Sequence, residues 1–532
     1  MSLADGLLTA GLSKADGHID PCQIPPPVQI AFISNLVVHP KHTSRADKPD
    51  RAEVAYLAGN YLDNLLQTVG PIKAKFNEAF QFNPNYQPRI MRAMSGDDPF
   101  HDEDEQHVVG NANAPVQGKL GGQQLLWNSG SDFWSVVGWA FNCAVLYPAR
   151  WRWWREWLDY MLRVLWEDWK ARLLADCDAN AKRGEDEVHV YAMMNKSLLT
   201  SYVSLYKIRR DHGLKHIIQA LFADGHTASQ SRFTEVFPRE TQEPPKGQNK
   251  RKREVKLDLD NMQYGDYCDS DDDFDADDNP PTSAASTPVK LGRGTTQHCQ
   301  ELTKFEHYAT NAEALHDTMS FRLRIIELLT QVSNALPHLF VTQDSLYQDL
   351  AEAIRHLPLP MFEALFKVDR NPLNGTLRYI GVEKGDLSFL ISELLHWFLP
   401  PKKHLDPAAV DPEADEAELL TWDILARCYL LHAAPSASVE DNAKLSVLLE
   451  NAIMLLMAES NGVIPDSEPL YQSLARGIEA RNKKAKVRKG RNGKVDKQEM
   501  VAKERLDKST QLLKMILAHM ETEGKIVVAH NG

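Results

Sequence analysis

Residues 127–169 read WNSGSDFWSVVGWAFNCAVLYPARWRWWREWLDYMLRVLWEDW, and the fold turns on how they are interpreted. They hold nine of the eleven tryptophans: Trp127, Trp134, Trp139, Trp151, Trp153, Trp154, Trp157, Trp166 and Trp169. Each brings a large apolar surface and one N–H that wants an acceptor once buried. The stretch divides into two helices. Ser129 or Ser131 can cap the first, and Asp132 suits the positive end of its dipole. Residues 133–146 are apolar almost all round, the pattern of a helix covered on most sides. Pro148 cannot continue the hydrogen-bond ladder, so this helix stops near Tyr147. The second helix covers 150–174. There Trp151, Trp154, Leu158, Met161, Leu165 and Trp169 share one face, while Arg152, Arg155, Glu156, Asp159, Arg163 and Glu167 decorate the rest.

Three uses compete for so dense an aromatic cluster. An Arg/Trp-rich amphipathic helix can lie in a membrane interface, but Glu156, Asp159, Glu167 and Asp168 weaken attraction to anionic lipid. The uncharged run 133–147 is also shorter than the roughly 20 residues a spanning helix needs. Aromatics can instead stack on bases, as in single-strand binders. These tryptophans, however, recur at core spacing. The expectation is a structural core centred on Trp134, Trp139, Trp151, Trp154, Leu158 and Trp169, with no membrane among the partners.

Outward from this centre the chain reads as helix after helix. Residues 1–27 are small and polar and end in three prolines, and they read as a disordered tail. Residues 28–38 are apolar and suit a strand or a short buried helix equally. Residues 51–69 place Val54, Leu57, Ala58, Tyr61, Leu62 and Leu65 on one helical face. The proline-punctuated, acidic stretch 82–118 is a long loop. Beyond the tryptophans, helices are expected over 188–210 and 214–222, completing an N-terminal domain over 28–237.

At residue 238 the composition changes abruptly. Through residue 300, prolines, glycines, serines and charges replace apolar periodicity, so this stretch reads as a disordered linker. Lys250, Arg251, Lys252 and Arg253 form a compact basic cluster of the kind nuclear import receptors bind. Ser270 sits at the head of an aspartate run and resembles an acidophilic kinase target. Thr287, within Ser286-Thr287-Pro288-Val289-Lys290, resembles a proline-directed, lysine-specified target of cyclin-dependent kinases. A phosphate there would add about −1.5 to −2 charge and three acceptor oxygens.

A C-terminal domain over 301–523 repeats the helical pattern, with helices at 302–336, 343–356, 360–366, 387–398, 416–432 and 439–459. Residues 376–382 allow a short strand after a clear turn at 371–375. The insertion 481–494 carries Arg481, Lys483, Lys484, Lys486, Arg488, Lys489, Arg491 and Lys494 without an acid. Such a patch suits phosphate contact with nucleic acid, or an acidic protein partner. A last helix over 497–521 shows an apolar side of Met500, Leu506, Leu512, Leu513, Ile516 and Met520.

The fold class expected is therefore all-α: two irregular helical domains joined by a long disordered linker. A solenoid is one arrangement that suits the helical pairs, although no fixed repeat period fits. With 43% hydrophobic and 25% charged residues the composition is that of a soluble globular protein. Six cysteines lie scattered without paired spacing, which points to a reducing compartment and away from a disulfide framework or metal site. No phosphate-binding glycine loop, nucleophile elbow or zinc-binding helix stands in the sequence, so neither cofactor nor catalytic residue is expected. Together these features describe a non-enzymatic nuclear adaptor or scaffold in a chromatin-associated or cell-cycle complex. The alternative is a nucleolar, RNA-associated assembly factor for ribosome biogenesis.

Overall fold

Asp132, rather than Ser129 or Ser131, caps the first tryptophan-bearing helix: its Oδ1 accepts from the Ser135 N–H at 2.8 Å. The computed structural model describes residues 2–9, 12–13, 19–21, 23–46, 49–82, 124–182, 191–204, 213–242, 307, 311–366, 369–370, 377–378, 384–399, 405–416, 419–460, 464–465, 468–486 and 497–530. The chain is mainly helical. In the first region the principal helices are α1 (Ser2–Thr9), α2 (Pro27–Val38), α3 (Pro49–Thr68), α4 (Phe133–Leu146), α5 (Pro148–Ala181), α6 (Leu198–Ser204) and α7 (Gly213–Leu221). In the second they are α8 (Met319–Ala335), α9 (Gln343–Arg355), α10 (Leu359–Leu365), α11 (Lys384–Trp397), α12 (Val439–Glu459), α13 (Glu468–Lys484) and α14 (Lys497–His530). Two antiparallel ladders of two residues per strand pair Leu12–Ser13 with Ile19–Asp20 and Asp369–Arg370 with Leu377–Arg378.

The tryptophans are the centre of the core. Trp134, Trp139, Trp151, Trp154, Leu158 and Trp169 are all buried, as the spacing predicts. Their N–H groups also act as struts between segments. Trp127 donates to Ala31 O at 3.1 Å, Trp134 to Tyr202 O at 3.1 Å, and Trp157 to Ser34 Oγ at 3.3 Å. The undecided stretch 28–38 is the buried helix α2, whose carbonyl and hydroxyl groups meet two of those donors.

Several expectations need correction. The tail is not all loose: α1 buries Leu8 in the main core, and Asp5 Oδ1 accepts from Asn64 Nδ2 at 2.9 Å. Ordered structure continues past residue 238 to Gln242, because Glu240 is wholly buried against α5. The two helical regions also form one compact unit, Met1–Gln242 with Thr303–Gly532, around one continuous core. Trp151 Nε1 donates to Asp317 Oδ2 at 2.8 Å, Arg324 Nη1 donates to Asp159 Oδ1 at 2.7 Å, and Trp151 packs edge-on to Phe321.

Three expected helices are broken. The 302–336 helix is interrupted at Thr318, between Ala312–Asp317 and α8. In place of 416–432 stands Trp422–Ile424 followed by a π-helical run, Leu425–Leu430. Within 188–210 the described residues 191–204 form a 3-10 turn, Met194–Lys196, and the short α6, while 188–190 and 205–210 lie outside the described residues. On α14 the apolar side is split. Leu506 and Leu513 face inward, whereas Met500 and Leu512 face solvent.

Candidate functional site

The basic end of α13 is the described part of the expected contact surface. Lys483 and Lys486 are exposed there and Lys484 is half-buried. Arg481 belongs elsewhere. It is 1% exposed, and its Nη1 donates to Leu430 O at 3.0 Å and His432 O at 3.1 Å. Burial pulls its pKa down to about 10, opposed by the Glu450 carboxylate. Arg481 therefore fastens the π-helical run to α13 and offers nothing to a phosphate. One helical turn separates a structural arginine from two solvated lysines, and composition treats them alike. Arg488, Lys489, Arg491 and Lys494 lie outside the described residues, as do Lys250, Arg251, Lys252, Arg253, Ser270 and Thr287.

The surface end of α13 is held by its neighbours. Asn482 Nδ2 donates to Thr510 Oγ1 on α14 at 2.8 Å, and Lys486 N donates to Ala437 O at 3.2 Å. On the far side of α14, Arg505 bridges Glu363 on α10 and Glu450 on α12, each at 2.7 Å. The positions of Lys483 and Lys486 are thus set by a braced helix pair.

A second set of charged residues lies inside the core, and of these the sequence alone singles out only Asp168, as an acid opposing anionic lipid, whereas it is buried. Arg150, at the start of α5, pairs through Nε with Glu240 Oε2, donates from Nη1 to Thr43 Oγ1 at 2.8 Å, and donates from Nη2 to Val38 O. Glu240 in turn accepts from Val236 N at 2.9 Å, Phe237 N at 3.2 Å and Trp154 Nε1 at 3.3 Å. Farther along α5, Asp168, Arg172 and Asp176 stand four residues apart on the inward face. Asp168 pairs with Arg172 at 2.7 Å and accepts from Leu198 N at 2.8 Å, which caps α6. Asp176 accepts from the Met193 and Met194 amides. Burial raises the Asp168 pKa, opposed by the Leu198 amide and by Arg172. The i, i+4, i+8 spacing was the available signal, but charges at that spacing usually mark an exposed face.

Arg322 is a fourth buried arginine, after Arg481, Arg150 and Arg172. Its Nη2 donates to Ala223 O at 2.7 Å, Nη1 donates to Leu221 O and Nε to Thr318 Oγ1 at 2.9 Å, with the guanidinium 4.1 Å from the Phe141 ring centre. It caps the carbonyl end of α7, where a cation is favoured by the helix dipole. Nearby chemistry is quiet as well. Burial pulls His39 down to about 3, helped by His42, Lys41 and Arg150, and its Nδ1 accepts from Lys41 N at 3.3 Å. Burial pushes the Cys143 thiol well up and the Cys428 thiol to about 11, which suppresses the thiolate forms.

Among the described residues no three His, Cys, Asp or Glu side chains converge to hold a metal ion. Nor is any described helix long and apolar enough to cross a membrane. No protein-family model matches the chain, and no curated protein is significantly similar to it.

Proposed function

We propose that this chain is a nuclear adaptor or scaffold subunit of a chromatin-associated or cell-cycle complex, working by binding rather than catalysis. The observation that carries the reading is what the buried charges do. Arg150, Asp168, Arg172, Asp176, Glu240 and Arg322 spend their hydrogen bonds on helix ends, loop amides and each other. Titratable groups placed for catalysis face a cleft and a substrate; these face backbone. Import through Lys250–Arg253 and phosphorylation at Ser270 and Thr287 complete the proposal as its regulatory layer.

The exposed Lys483 and Lys486 favour a second reading, an RNA-associated assembly factor of the nucleolus. The two readings part on nucleic acid. Affinity purification of the tagged chain should recover nuclear complex subunits insensitive to nuclease if it is an adaptor. Recovery of ribosomal precursors that nuclease releases would favour the second reading. A cytoplasmic protein whose location ignores alanine replacement of Lys250–Arg253 and 481–494 together would defeat both.

A further inference from the structure

Met515 and Met500 are the two most exposed large apolar side chains among the described residues, at 70% and 60%, and both lie on α14. Val501 and Leu512 are exposed beside them. With 3.6 residues per turn, Met500, Val501, Glu504, Lys508, Leu512 and Met515 fall within a sector of about 120°. It lies opposite Ala502, Leu506, Ser509 and Leu513, the buried residues that seat the helix. This outer face is banded rather than evenly apolar. Met500 and Val501 stand at one end and Leu512 and Met515 at the other. Between them Glu504 and Lys508 pair at 2.8 Å while staying 67% and 65% exposed. A lipid surface would have to bury that charged band without pairing it, whereas a protein surface can meet it with opposite charges.

We propose that α14 pairs antiparallel with α14 of a second copy of this chain, around a two-fold axis level with Leu506. Lys497, Val501, Glu504, Lys508, Gln511 and Met515 are all exposed and follow one another in alternating steps of four and three residues, the spacing of a seam between two helices. Turned end for end around that axis, the row falls on itself. Glu504 meets Lys508 of the second copy, and symmetry makes that pair twice. Met500 meets Leu512, Val501 meets Gln511, and the aliphatic stem of Lys497 lies along Met515. Each apolar end therefore covers the opposite apolar end, and the charged bands match. A parallel pair in register would instead set Glu504 beside Glu504 and Lys508 beside Lys508, like charges that oppose association. The row from Lys497 to Met515 is about 27 Å long, so the contact is small and the dimer responds to concentration. This goes beyond the adaptor reading and does not depend on it.

Sedimentation velocity of the full chain tests this. Up to about 100 μM the chain should show a monomer–dimer equilibrium, since a contact of this size gives a constant on the order of micromolar. Glu504→Lys alone, or Lys508→Glu alone, turns both intermolecular pairs into like charges and should weaken the dimer about tenfold. Mixed in equal amounts, the two variants should associate as a heterodimer at the parent's affinity, because each supplies the charge the other lacks. Both exchanges in one chain should restore the homodimer. Met500→Ser with Leu512→Ser should weaken it as well, by removing the apolar ends. All these positions are exposed, so thermal midpoints should match the parent and show that the fold is intact. A parent chain that stays monomeric throughout would overturn the proposal. So would a dimer indifferent to the single exchanges, or a mixture that associates no better than either variant alone.

Discussion

Replacing Arg150 with Met and Glu240 with Leu together should leave the protein substantially less stable, and the reason is what those side chains hold besides each other. A buried ion pair replaced by apolar residues of similar volume is often neutral, or stabilising by about 1–4 kcal/mol, because desolvation of both charges is relieved. That expectation assumes the pair serves only itself. Glu240 also accepts from Val236 N, Phe237 N and Trp154 Nε1, and Leu accepts from none of them. Each buried group left without a partner costs about 1–3 kcal/mol, so the three together cost roughly 3–9 kcal/mol. This outweighs the relief. The single change Glu240→Ala should also be severe, about 3–5 kcal/mol, since it strands the Arg150 charge at 2% exposure. Urea unfolding followed by tryptophan fluorescence compares both variants with the parent, and the indole of Trp154 sits inside the network. A double variant as stable as the parent would refute the reasoning, for it would mean the backbone amides find other acceptors.

Four other outcomes follow from the same structure. Gly477→Ala should destabilise by about 1–3 kcal/mol or more, because a Cβ there would sit 1.7 Å from Leu430 O, the carbonyl Arg481 holds; an unchanged thermal midpoint would contradict it. Trp154→Ala, at a fully buried indole, should cost about 3–5 kcal/mol in the same unfolding assay. His39 is held near 3 when folded against 6.5 when unfolded, so the unfolded chain binds the extra proton between those values. Stability from this group is therefore complete above 6.5 and falls as pH drops toward 3, by up to about 1.4 kcal/mol per pH unit; His39→Asn should flatten that acid limb in a pH series of unfolding midpoints. Finally, residues 1–242 and 303–532 produced as two separate chains should co-purify as one complex, whereas two independently folded, non-associating fragments would contradict the shared core.

What could be read from the residues was whatever depends on neighbours in sequence. α4 and α12 stand at the expected bounds because apolar periodicity, an N-cap (Asp132, Ser438) and a following breaker act locally. The inward tryptophans were legible for the same reason. The broken helices were less so. The chain at Thr318 carries no proline or glycine, and the break there is fixed by Arg322, which takes Thr318 Oγ1 while reaching across to α7. Likewise Arg481 looks like any lysine of its basic stretch until the carbonyls of Leu430 and His432 come within reach.

The two-domain expectation failed for an instructive reason. A change of composition at 238 reports that the following segment adds little to a core; it does not report that the flanks have separate cores. Both flanks are in fact anchored on the first helical region. Glu240 is locked to Arg150 just before the segment begins, and His307 donates from Nε2 to Asp224 O at 2.7 Å just after it ends. Contacts such as Trp151 with Asp317 and Arg322 with Ala223 then close the core across the interruption. Interrupting a fold this way is inexpensive, since each doubling of a connecting segment adds only about 0.6 kcal/mol of closure entropy. The consequence concerns regulation. With anchors at both ends, a phosphate at Ser270 or Thr287 has no need to disturb the tryptophan core to act. Its effect on the folded unit's stability should therefore be small, and its effect on partner binding is where the proposed control would be read.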